Sequence, residues 1–80
     1  MQELIDAGYD LLKRERSEDA LKLFDKAIEM KPDHSYTYYL AALANFEMEN
    51  FQNSLKYIKK AILIDPEVPG YYIIRGRTFV

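Results

Sequence analysis

Residues that could support catalysis or metal binding are few in this sequence and do not cluster. His34 is the only histidine and there is no cysteine, so the clustered ligands of a metal site are missing. Ser17, Ser35 and Ser54 are possible nucleophiles, but each falls at an expected helix start or packing position. No glycine-rich phosphate loop is present. These observations predict a protein that is not an enzyme and that uses no cofactor or metal.

Length and charge exclude several other classes of protein. Eighty residues, 49% of them hydrophobic, are enough for one small domain. Lys56, Lys59 and Lys60, beside Tyr57, could serve nucleic acid or acidic partners, but the net charge of −2 favours a solvated helix face. Apolar runs such as residues 61–64 are too short to cross a bilayer, and no secretory signal follows Met1. We therefore expect a cytoplasmic protein without nucleic-acid or membrane partners.

The elements that must position any binding surface are helices, and the central one carries four of the eleven aromatic residues. At 3.6 residues per turn, residues 36–48 form a stripe of large side chains and a stripe of smaller ones around Ala41 and Ala42. The large stripe contains Tyr36, Tyr39, Leu40, Leu43 and Phe46. A helix that is apolar on two sides must be covered twice, so this one is expected to lie between earlier and later helices.

Five helices are predicted, at residues 3–14, 17–30, about 35–49, 51–64 and 70–80. Pro32 and Pro66 end the second and fourth helices, because proline lacks the amide donor that a helix interior needs, and Pro69 can start the fifth. The capping residues predicted for the second, third and fourth helices are Ser17, either Asp33 or Ser35, and Asn50. The predicted fold class is all-α.

The sequence repeats itself at a shift of 34 residues. Leu21, Lys22, Lys26, Ala27, Ile28 and Pro32 superimpose on Leu55, Lys56, Lys60, Ala61, Ile62 and Pro66. Small residues also recur, since Gly8 superimposes on Ala42 and Ala42 on Gly76. A two-helix unit of this length is typical of a helical repeat array, and the small residues are expected where paired helices approach closely.

This pattern resembles the tetratricopeptide repeat family, whose unit is a pair of antiparallel helices. The first unit has Gly8, Ala20, Phe24, Ala27 and Pro32; the second has Tyr38, Ala42, Phe46, Ser54, Ile58, Ala61 and Pro66; the partial third has Tyr72, Gly76 and Phe79. Leu4, Arg16 and Arg75 depart from the family pattern. The resemblance implies an α-α superhelix with repeats at residues 1–34 and 35–68 and the terminal helix of a third at 69–80.

The resemblance also implies a non-catalytic scaffold that binds a partner's peptide or helix in a concave groove lined by the first helix of each repeat. The matching positions are Ile5, Tyr9, Leu12, Lys13, Tyr36, Tyr39, Leu43, Phe46, Glu47, Ile73 and Arg77. They are mostly apolar or aromatic, which predicts an apolar or aromatic partner segment. The alternative for Tyr39, Leu43 and Phe46 is a place in the interhelical core, where Tyr38 and Tyr72 are expected.

Two further expectations concern the kind of partner. The positions of the clamp that holds chaperone tails in some family members carry Ile5, Tyr9, Leu40, Gly70 and Ile74. Without lysine or asparagine there, a chaperone-tail receptor is not expected. The apolar ends of a short array need cover, so the chain is either a fragment of a longer array or a self-assembly module that forms a homo-oligomer, for example by exchanging the fifth helix.

Overall fold

The computed structural model describes the backbone of residues 2–78 and the side chains of residues 2–76. This part of the chain contains five helices, which are α1 (Gln2–Lys13), α2 (Ser17–Met30), α3 (Ser35–Glu47), α4 (Phe51–Ile64) and α5 (Pro69–Thr78), and no strand. Each helix packs against the next in sequence, and α3 also contacts both α1 and α5. The predicted all-α array of helix hairpins is confirmed, with α3 at its centre. Phe79, assigned to the third unit from sequence, lies outside the described residues.

The predicted capping residues are wrong for α2 and α3, whereas for α4 the predicted position, Asn50, is confirmed but its side chain makes no cap hydrogen bond. The residues that precede α2, α3 and α4 are Arg16, His34 and Asn50, and none of them makes a side-chain cap hydrogen bond. Ser17 lies inside α2 and is nearly buried, and the His34 imidazole Nδ1 lies 2.8 Å from the Thr37 hydroxyl. Ser17 is therefore packed inside the fold and does not cap α2, while Glu18 and Asp19 place negative charge in the first turn of this helix.

The hairpin turns have the same backbone geometry in both units. Glu15 and Glu49 adopt positive φ angles of 62° and 60°. The residue after each donates its backbone amide to a carbonyl five residues earlier, from Arg16 to Leu11 at 2.9 Å and from Asn50 to Asn45 at 2.8 Å. This is the left-handed helix ending of a Schellman motif. It explains why α3 stops at Glu47, two residues before its predicted end.

Small residues set the distance between paired helices, as the repeat predicted. Ala20, Ala27, Ala42 and Ala61 have no exposed surface. A Cβ atom built on Gly8 would lie 2.5 Å from Cε1 of Phe24, so only glycine fits beside that ring. Gly76 differs, because no atom lies within 4 Å of a Cβ built on it. Within the described residues, no helix follows α5 and packs over Gly76.

Tyrosine hydroxyls tie the start of α3 and of α5 to the turn before each helix. Tyr38 donates to the Pro32 carbonyl at 2.8 Å, and Tyr72 donates to the Pro66 carbonyl at 2.7 Å. Tyr38 is 8% exposed, because α4 packs over it, but Tyr72 is 38% exposed. The expectation that both rings lie in the core is therefore confirmed for Tyr38 and wrong for Tyr72, which no following helix covers in the described part of the chain.

A hydrogen bond between the second helices of the two units has a consequence for stability at high pH. Tyr57 of α4 donates to Oδ1 of Asp25 of α2 at 2.6 Å. Burial, and then the bond to Asp25 and its charge, raise the pKa of Tyr57 above its usual value. The folded protein thus holds this proton more tightly than the unfolded chain, whose tyrosines ionise near pH ~10.

We therefore expect the contribution of Tyr57 to be complete below pH ~10 and to fall as the pH rises, because the unfolded state loses its proton first. Urea unfolding between pH ~9 and ~11 should show a steeper loss of stability for the wild type than for Tyr57→Phe. Other titrating groups are common to both proteins and cancel in the difference. Parallel stability curves would contradict this assignment.

Candidate partner-binding groove

A pocket lies between α3 and α5 on the face of α3 that carries the large side chains. It has a volume of about 180 Å³ and is lined by Tyr39, Leu43, Phe46, Glu47, Gly70, Ile73 and Ile74. A cavity on the order of 150 Å³ holds a benzene ring. The pocket is therefore large enough for one aromatic or branched aliphatic side chain of another molecule.

Tyr39 forms part of the wall of this pocket, and two neighbouring tyrosine rings hold it in place. The Tyr36 and Tyr39 rings stack with centroids 5.9 Å apart, and Tyr39 lies 5.2 Å from Tyr71. The Tyr71 hydroxyl is also 3.1 Å from the Ser35 hydroxyl, which links the first turn of α3 to α5. Aromatic pairs in such offset arrangements add stability beyond their buried area, so the wall is positioned before any partner arrives.

The surface continues from the pocket toward α1. Tyr9 and Tyr36 are each 45% exposed, and the Lys13 ammonium lies 5.5 Å from the Tyr9 ring centroid. Burial raises the pKa of the Tyr36 phenol, and the nearby phenols of Tyr9, Tyr39 and Tyr71 add to the rise. Leu12 is half-buried on the same helix. Tyr9 of α1 thus lies near Tyr36 and Tyr39 of α3 on this side of the molecule.

The other predicted groove residues differ in how much of their surface is exposed. Ile73 is 61% exposed at the rim of the pocket, whereas Ile5 is 3% exposed and packs in the core between α1 and α2. The Arg77 side chain lies outside the described residues. Gly70 and Ile74 line the pocket but were not predicted as groove residues. The available signal was the position of Gly70, three residues before Ile73 and four before Ile74, because residues three and four apart share one helix face.

Two other kinds of site are not seen in the described part of the chain. No three histidine, cysteine, aspartate or glutamate side chains in it lie close enough together to hold a metal ion. None of its helices combines the length and the apolar character needed to cross a membrane.

Comparison with known proteins identifies the repeat itself. Residues 35–68, the range assigned to the second unit from the sequence, match the family model described as tetratricopeptide repeat. No curated protein matches the chain significantly. Repeats of this family are generally non-catalytic modules for protein–protein interaction. Residues 35–68 are therefore similar to a tetratricopeptide repeat, and the five-helix, all-helical fold of residues 2–78 is consistent with an array of such repeats.

Proposed function

We propose that this protein is a non-catalytic scaffold that binds an apolar or aromatic segment of a partner protein in the groove formed by α1, α3 and α5. The observation that supports this most strongly is the 180 Å³ pocket beside Ile73, a large apolar side chain with 61% of its surface exposed. Burying such surface against a partner stabilises the complex in proportion to its area.

The groove residues in this proposal are Ile5, Tyr9, Leu12, Tyr36, Tyr39, Leu43, Phe46, Ile73 and Arg77. Tyrosine and phenylalanine supply large, stiff contact surfaces that lose little conformational entropy on binding. Ile5 supports the wall from within the core, since it is only 3% exposed. We also propose repeat boundaries at residues 1–34, 35–68 and 69–80, in keeping with the turn geometry and tyrosine bonds that recur 34 residues apart.

Affinity capture from a cell extract tests the groove directly. The double variant Tyr39→Ala/Phe46→Ala removes two ring walls, so specific partners of the wild type should be captured at least ~10-fold less efficiently, as for hot-spot residues. Tyr72→Ala is the matched control, because it removes an exposed ring of α5 that does not line the pocket. Equal capture by the wild type and by a folded double variant would refute the groove assignment.

Self-assembly is the second candidate, and it is favoured by apolar surface near the C-terminal end of the described array. Leu63 is 77% exposed, Tyr72 is 38% exposed, and Gly76 has open space above it. A homo-oligomer would cover such surface, in which case helicity should fall on dilution as the subunits separate. Sedimentation of a folded 9.4 kDa particle at high micromolar concentration would exclude this candidate and leave the monomeric receptor.

A further inference from the structure

A second and larger cleft lies between α2 and α4, on another side of α3. Its volume is about 480 Å³, and it shares no lining residue with the groove pocket. Tyr38 and Asn45 of α3 lie at its base, 8% and 1% exposed. Their hydrogen bonds are made internally, from Tyr38 to the Pro32 carbonyl and from the Asn45 amide to the Ala41 carbonyl. The base of the cleft is therefore fixed by the fold.

The α4 wall of this cleft is positively charged. The helix carries Lys56, Lys59 and Lys60 and no acidic residue, although the whole chain has a net charge of −2. The ion pairs found in the described residues join Arg14 to Asp10 and Arg16 to Asp19, so none of these lysines has a carboxylate partner there. Lys56 and Lys60 line the cleft, whereas Lys59 does not.

The α2 wall of the cleft supplies one carboxylate, that of Asp25, which already accepts a hydrogen bond. Oδ1 of Asp25 accepts the Tyr57 hydroxyl at 2.6 Å, which spans the cleft from α4 to α2. The lining thus has two ammonium groups against one hydrogen-bonded carboxylate, together with the Asn53 amide and the apolar surface of Leu21. Charge complementarity favours an anionic occupant on the α4 side.

We propose that this cleft binds an acidic segment of a partner protein, in extended conformation, with carboxylates at alternate positions. Lys56 and Lys60 are one helical turn apart, a rise of ~6 Å. Alternate side chains of an extended strand lie ~6.6 Å apart on one face, so two carboxylates can meet the two ammonium groups. The lysines that the sequence suggested as a solvated face thus become a recognition element, because α2 and Tyr57 convert that face into one side of a cleft.

Fluorescence anisotropy with a labelled decapeptide of five Glu-Ala pairs tests this site, with the Gln-Ala decapeptide as the uncharged probe. Lys56→Gln/Lys60→Gln should weaken binding of the Glu-Ala peptide roughly tenfold, the combined effect of two exposed ion pairs. Lys59→Gln changes the charge of the same helix outside the cleft and should weaken it by less than about twofold. Asp25→Asn keeps an acceptor for Tyr57 but removes the opposing charge, so it should tighten binding.

Four binding results would overturn the proposal. These are failure of the Glu-Ala peptide to bind the wild type, equal binding of the Gln-Ala peptide, equal losses in the cleft and Lys59 variants, or tighter binding of a ten-nucleotide oligothymidylate, which would indicate nucleic acid. Sedimentation of the protein without peptide tests for a second copy of the chain as the occupant. If the wild type is an oligomer and the cleft variant is a monomer, the occupant is a second copy, and an acidic partner is refuted. Groove capture should be unchanged in the cleft variant, so failure here leaves the proposed function intact.

Discussion

Replacing Gly8 by alanine should lower the free energy of unfolding by about 1–3 kcal/mol, the usual range for overpacking a core. The new Cβ would lie 2.5 Å from Cε1 of Phe24, and the Phe24 side chain is fully buried and cannot move aside freely. Gly8 has no positive φ angle, so the loss would come from the contact rather than from the backbone. Urea or thermal unfolding measures the change.

The same substitution at Gly76, two repeat lengths away, should have the opposite sign. No atom lies within 4 Å of a Cβ built there, and Gly76 is inside α5. Alanine should therefore raise the free energy of unfolding by about 0.5–1 kcal/mol through helix propensity. A Gly8→Ala protein as stable as Gly76→Ala would show that Gly8 does not set the approach of α1 to α2.

The second large effect is expected at the buried alanines of α2 and α4. Ala27→Leu and Ala61→Leu should each destabilise the fold by about 1–3 kcal/mol, because neither residue has exposed surface and leucine would push paired helices apart. Ala7 offers a control on α1, where it is exposed and leucine should change stability by less than about 0.5 kcal/mol. Denaturant midpoints equal to wild type for both buried sites would remove these alanines from the helix interfaces.

The arrangement of helices could be predicted because it depends on small and large residues that recur at a fixed spacing in the sequence. Gly8 beside Phe24, and Ala42 with Ile58, repeat at a shift of 34 and need no knowledge of distant contacts. The capping residue of α2 could not be predicted, because whether Ser17 caps a helix or is buried depends on what packs around it.

The exposure of the individual groove residues could not be predicted from the sequence either. Ile5 and Ile73 occupy equivalent repeat positions, 68 residues apart, yet they are 3% and 61% exposed. The repeat pattern fixes the helix face on which a side chain lies but not how many neighbouring helices cover it. The cleft between α2 and α4 was missed for a related reason, since residues 21–25 and 53–60 form it only when the two units stack.

Gly70→Leu tests the central claim, a partner held in the pocket between α3 and α5, with the least disturbance of the fold. Gly70 lines that pocket, and no protein atom lies within 4 Å of a Cβ built on it. A leucine there can enter the pocket from within, while helix propensity maintains or raises stability. We predict capture of the wild-type partners reduced at least ~10-fold in a protein that unfolds no earlier than wild type, with Gly76→Ala unaffected. Undiminished capture by the folded Gly70→Leu variant would contradict the account.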